Sequence, residues 1–230
     1  EAEVGKALSP IIANAKGRVI IASFASHIHR MQQICDAAVA NGRKVVVTGR
    51  SMIQNTDIAR RLGYLNISDD DIVDAYELKG LPPERVVIMC TGSQGEPLSA
   101  LARIANGEHK TIDIDEGDTV IISATPVPGN EKAVTRVINS LAKIGADVYD
   151  KSRAMVHVSG HAGAEELKLV LSIVQPTAFM PVHGEATHLR AHARLAEDTG
   201  VPNENIFICE NGETLELSAK GVARGPMVES

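Results

Sequence analysis

Tryptophan is absent from the chain, and aromatic side chains are only 3% of its 230 residues. An interior built without them must be aliphatic, and the 44% hydrophobic content supplies Val, Ile, Leu and Ala for it. That mixture is usual where parallel strands are covered by helices on both faces. Cysteine is equally scarce. Cys35, Cys90 and Cys209 stand far apart, without zinc-type spacing. An odd, sparse count argues against a disulfide framework and for buried thiols in a reducing, cytoplasmic setting. No run of about 18 apolar residues exists, so no membrane span or membrane partner is expected. No signal peptide is expected either. Positive charge is not in excess either: the net charge is −6. There is no global basic field, and any nucleic-acid binding would need a local basic groove.

What is present is a recurring strand, polar loop and helix. Arg18–Ser23, Lys44–Thr48, Arg85–Cys90 and Thr119–Ser123 are short apolar runs. Each leads into a loop rich in Ser, Thr, His, Arg or Gly, and then into a segment of helical periodicity. The return connections carry Asn-Gly or Gly alone, as at Asn41-Gly42 and Asn106-Gly107. This pattern predicts an α/β fold, a doubly wound parallel sheet with its polar loops on one edge. Helices are expected at about 3–14 and 29–41, after Gly49-Arg50-Ser51 to about 62, and at about 187–199. A hairpin is expected at Glu210-Asn211-Gly212, between strands Asn205–Cys209 and Glu213–Leu217. The chain can hold one large domain or two modest ones. Glu1 already lies within a helical pattern, and Gly225–Ser230 reads as a linker, so a longer polypeptide is expected.

Histidines are few, eight in all, and three fall between Met155 and Glu185. His157-Val158-Ser159-Gly160-His161 and Pro181-Val182-His183-Gly184-Glu185 each follow a short apolar run. Glycine at or beside each His suits a side chain presented at a strand end. Between them, Gly163–Val174 reads as a helix with Leu167, Leu171 and Val174 on one face and Val170 adjoining. The stretch is expected to form a βαβ unit with both His loops at the carboxyl ends of its strands. Neutral imidazole is a good zinc ligand, and charged imidazole a phosphate partner. A functional site and a set of satisfied polar groups remain equally open for His157, Ser159, His161 and His183. Three histidines do not make a dinuclear site, and the chain has no HxHxDH cluster, so further ligands would have to come from outside it.

Other loops admit both a chemical and a structural role. Thr91-Gly92-Ser93-Gln94-Gly95 lies between strand and helix and could cradle a phosphate or be a plain turn. It matches neither the Walker loop nor the dinucleotide fingerprint. Phe24-Ala25-Ser26-His27-Ile28-His29-Arg30 could chelate metal through His27 and His29, contact phosphate, or cap a helix. His188 and His192 have the spacing of helical zinc ligands but no third ligand. Ser68-Asp69-Asp70-Asp71 reads as a solvated cap.

These motifs, in this order and nearly end to end, resemble bacterial ribonuclease J, in the β-CASP group of the metallo-β-lactamase superfamily. The resemblance rests on Phe24–Arg30, Gly49-Arg50-Ser51-Met52, Thr91–Pro97, Pro128-Gly129-Asn130, His157–His161 and Met180–Glu185. It implies a β-CASP domain over residues 1–148 and the carboxyl-terminal part of a metallo-β-lactamase domain over 149–218. Residues 219–230 would link to a further domain. The implied activity is that of a 5′-to-3′ exonuclease and endonuclease in RNA decay and maturation, including rRNA processing, using two zinc ions held mostly by residues outside this chain. His183 would be a zinc ligand and His161 a catalytic residue at the scissile phosphate. His157, Val158, Ser159, Gly160 and His161 would bind the substrate phosphate. Ser26, His27, Arg30, Ser93 and Gln94 would touch single-stranded RNA, read by sugar and phosphate more than by base. A homodimer or homotetramer is implied for the longer protein. The isolated chain is expected to be inactive. The rival reading is a non-catalytic RNA-binding or dimerisation module. A small-molecule α/β hydrolase lacks its Gly-x-Ser-x-Gly elbow.

Overall fold

The structure is a computed structural model that describes residues 1–127 and 129–229. Pro128 of the Pro128-Gly129-Asn130 motif lies outside the described residues. Two compact units divide the chain at Ser159–Gly160.

The first unit is built on a six-stranded, all-parallel sheet in the order β3-β2-β4-β1-β5-β6. Its strands are β1 (Val19–Ala22), β2 (Lys44–Thr48), β3 (Ile72–Val73), β4 (Val86–Cys90), β5 (Thr119–Ile122) and β6 (Asp147–Tyr149). The helices are α1 (Ala2–Asn14), α2 (Ile28–Ala40), α3 (Arg50–Arg61), α4 (Ala100–Ala105) and α5 (Glu131–Ile144). The expected doubly wound α/β architecture is what forms.

Strand side chains alternate between faces, and here both faces are covered. Val19 and Ile21 of β1, with Val87 and Met89 of β4, join one core with Val4, Leu8 and Ile12 of α1 and Met31 and Ile34 of α2. Ile20, Ile88 and Val120 sit side by side in register and enter the other core, against Leu101 of α4 and Leu141 of α5. β1, β4 and β5 are therefore buried at every position, which is why they read as unbroken apolar runs rather than as alternations. Neighbouring strands β1 and β4 feed helices on opposite faces. Their carboxyl ends, and that of β5 on the other side of β1, therefore open onto one polar edge.

The second unit holds α6 (Ala164–Val174), α7 (Ala186–Asp198) and the antiparallel pair β7 (Leu215–Ser218) and β8 (Gly221–Arg224). Its core is small: Leu171, Ala196 and Val201, with Phe179, Leu195 and Ile206 against it. The sequence reading needs correction here. The expected strands flanking α6 are not formed; only Phe179 and Ile206 make a parallel bridge. A parallel strand needs a neighbour along its length, and no described segment of this unit provides one. Asn211-Gly212 does turn, with Glu213 N donating to Glu210 O at 3.1 Å. The paired hairpin lies later, however, and residues 221–224 are strand, not linker. Val170 and Val174 of α6 are exposed rather than buried, with Leu169 and Ile173 beside them.

Candidate functional site

Polar groups at the carboxyl edge of the first unit converge on one buried arginine. Arg30, in the first turn of α2, has no exposed surface. Its Nε and Nη2 donate to Glu1 Oε1 and Oε2 at 2.6 and 2.8 Å. Its Nη1 donates to Val156 O at 2.9 Å and also bonds Ser123 Oγ and O, just past β5. Ser123 Oγ in turn donates to Val156 O at 2.6 Å. His27 caps α2, its Nδ1 accepting from Arg30 N at 3.2 Å, while its Nε2 lies 3.7 Å from Glu1 Oε1.

His157 follows Val156 directly. Its Nδ1 is buried, with no hydrogen-bond partner among the described residues. Burial first, and then the Arg30 guanidinium, hold this imidazole below the ordinary histidine range, so it is neutral at pH 7. The same arginine keeps the Glu1 carboxyl below the usual carboxylate range, chiefly by its hydrogen bonds.

The structure thus separates the edge residues expected to contact RNA. Ser26 is exposed and His27 half-buried. Arg30, Ser93 and Gln94 are buried. Gln94 Nε2 donates to Thr125 O at 2.9 Å, and its Oε1 accepts from Val127 N at 2.7 Å. Gly95 lies so close to α5 that a Cβ there would come within 2.6 Å of Ala133 C and Val134 N. These contacts make Thr91–Gly95 a packed turn. In this conformation the polar atoms of Arg30 and Gln94 are turned inward, onto main-chain, hydroxyl and carboxylate partners, and Ser93 is buried beside them in sequence.

In the second unit the rings of His161 and His183 stack with centroids 5.9 Å apart and planes 23° from parallel. Both residues are exposed. His183 adopts φ 64°, a left-handed backbone that is uncommon for a side-chain-bearing residue and recurs at functional positions. Gly184, next to it, makes room for His188; a Cβ at Gly184 would meet His188 Cβ at 2.8 Å. His188 Nδ1 accepts from Glu185 N at 3.2 Å, and the His192 ring meets Phe179 edge-on at 4.8 Å. That pair is occupied with capping and packing.

No three His, Cys, Asp or Glu among the described residues form a group able to hold a metal ion. A structural zinc site takes about four ligands and a catalytic one about three. The donor chemistry of an exposed imidazole fits zinc, but the number of donors does not complete a site in this chain.

Sequence reasoning missed Ser123, the Val156 carbonyl and the pairing of Glu1 with Arg30. Only the parallel order of β1, β5 and β6 brings them together. It also missed His109, whose Nε2 lies 3.1 Å from Thr48 Oγ1 at the end of β2. No motif marked any of them.

Residues 16–141 match the family model described as "Ribonuclease J, beta-CASP domain". Residues 145–209 match "Zn-dependent metallo-hydrolase RNA specificity domain". Ribonuclease J of Mycolicibacterium smegmatis is 53% identical over 219 residues, which cover 95% of this chain and 39% of that protein. Ribonuclease J of Thermus thermophilus is 47% identical over 95% of this chain and 38% of its own length. Ribonuclease J2 of Bacillus subtilis is 42% identical over 99% and 41%. The chain spans about two-fifths of the length of these curated relatives. With a first unit of the matching architecture and identity this high, the chain belongs to the ribonuclease J family, carrying its β-CASP domain and its metallo-hydrolase RNA specificity domain.

Proposed function

We propose that this chain is the RNA-gripping and partly metal-binding portion of a zinc-dependent ribonuclease acting as 5′-to-3′ exonuclease and endonuclease. The observation that carries the reading is the His161–His183 ring pair, with His183 on a left-handed backbone. Two exposed imidazoles side by side can serve one phosphodiester. His183 offers one donor to zinc held mainly by residues outside the chain. His161 hydrogen-bonds a phosphate or leaving oxygen. Ser159 and the Val158 and Gly160 main chain grip phosphate oxygens, and neutral His157 offers a hydrogen bond without a net charge. Ser26 and His27 are further RNA contacts on the first unit. Zinc, when bound, supplies Lewis acidity for hydrolysis. A cytoplasmic role in RNA decay and rRNA processing, as a homodimer or homotetramer, goes with this reading.

The test is His183→Ala in the complete polypeptide. The expected result is loss of one zinc equivalent and nearly all hydrolysis of single-stranded RNA. Full activity with unchanged zinc content would overturn the ligand role. The rival, a binding or dimerisation module, is favoured by one observation only, the exposed Leu169, Val170, Ile173 and Val174 on α6. The 230-residue chain alone, given zinc, is expected to bind RNA without turnover.

A further inference from the structure

The buried arginine does more than fill space. Taking a guanidinium out of water is costly unless its donors are met, and here every nitrogen has a partner. Those partners come from three places far apart in sequence: residue 1, the end of β5, and the main chain just before His157. Val156 is itself fully buried in the core beside α2, so its carbonyl is fixed from both directions.

We propose that Arg30 is a positioning residue: through Glu1, Ser123 and the Val156 carbonyl it fixes where the His157 ring stands at the carboxyl edge of the sheet. The proposal rests on the ribonuclease reading only for what His157 then does, which is to meet the phosphate backbone. The arrangement also sets charge. The charged or titratable groups facing His157 are Arg30 and His27 from α2 and Glu1 from before α1. Arg30 opposes protonation of the ring and Glu1 favours it. The two halves of one ion pair therefore act on His157 with opposite sign.

The experiment is an NMR titration of the His157 imidazole in the 230-residue chain, made with Arg30→Met, Arg30→Lys and Glu1→Gln. Arg30→Met is expected to move the His157 midpoint up, Glu1→Gln to move it down, and Arg30→Lys to leave it near the parent value. Should Arg30→Met fail to fold, Glu1→Gln still decides: an unchanged or raised midpoint overturns the proposal. Movement of both variants in one direction overturns it as well.

A second measurement uses binding of a single-stranded RNA oligonucleotide in a double-mutant cycle with His157→Ala. If Arg30 acts through His157, Arg30→Met weakens binding several-fold in the parent and has no further effect in His157→Ala. Equal losses in both backgrounds would refute that route. If the parent chain binds no RNA, the RNA-gripping role proposed for it fails, while the titration still judges the position and charge of His157.

Discussion

Replacing His183 with glycine and with alanine separates backbone from side chain at the candidate ligand. At φ 64° a Cβ costs about 1–2 kcal/mol, because it crowds the following carbonyl. Alanine keeps that crowding and removes the imidazole. Glycine removes both, at an entropic cost of about 0.5–1 kcal/mol relative to alanine. The difference favours His183→Gly over His183→Ala by about 0.8 kcal/mol, or about fourfold in the local opening equilibrium. Fluorescence cannot report it. The chain has no tryptophan, and all three tyrosines, Tyr64, Tyr76 and Tyr149, lie in the first unit. Amide hydrogen exchange in α7, around buried Ala196, reads the second unit directly. Slower exchange in the glycine variant is expected, with one zinc equivalent lost from the complete polypeptide in both. Equal exchange, or better protection with alanine, would show that the left-handed turn stores no strain and would remove the argument that function holds His183 there.

Four further outcomes follow from the geometry. Gln94→Ala leaves Thr125 O and Val127 N without their side-chain partner and should lower stability by about 2–4 kcal/mol, read as a shifted urea midpoint; RNA affinity should be unchanged in the folded protein. Gly95→Ala puts a Cβ into the backbone of α5 at φ 71° and should cost at least about 3 kcal/mol, measured the same way. Burial pushes the thiols of Cys35 and Cys90 up to about 12, so a thiol reagent at pH 8 should label Cys209 alone until the chain is unfolded. On acidification, stability should fall in two stages in urea titrations run at stepped pH. His157 and His109 have folded values below the ordinary one, so their contribution is lost as pH drops below about 6.5; Glu1 is likewise depressed by Arg30, and its contribution is lost as pH drops below about 4.3. His157→Ala and His109→Ala should flatten the upper stage and Glu1→Gln the lower.

The first unit was legible because both faces of its sheet are covered. Arg18–Ser23 and Arg85–Cys90 are apolar at successive positions, and only a two-sided interior calls for that. The helices were legible from their spacing, as with Val4, Leu8 and Ile12 on α1. In the second unit the same reasoning overreached. Asn205–Cys209 has strand composition, yet a strand is a relation between segments, and Phe179 offers it a single bridge. The α6 stripe read as a buried face, but α7 covers only Leu171. Composition showed that these residues want a partner; it could not show that the described chain lacks one. The His161–His183 pair was anticipated from loop chemistry. The network around Arg30 was not, because hydrogen bonds between residues 1, 30, 123 and 156 leave no local spacing to read.

That network explains why residue type was a poor guide to which edge side chains stay exposed. Where parallel strands end, main-chain carbonyls and N–H groups come free of the ladder, and buried ones need partners. Polar side chains in the adjoining loops answer that need first. Arg30 takes Ser123 O and Val156 O, and Gln94 takes Thr125 O and Val127 N. Both look like substrate contacts in the sequence, since a loop rich in Ser, His, Arg and Gln is also what a phosphate clamp requires. Among the edge residues proposed to touch RNA, Ser26 keeps its side chain exposed. An alanine scan of the edge should therefore split in two. Substitutions at Arg30 and Gln94 should shift the urea midpoint, whereas one at exposed Ser26 should leave it within about 0.5 kcal/mol and weaken RNA binding instead. Were the buried and exposed sets to behave alike, the division of labour at this edge would not exist.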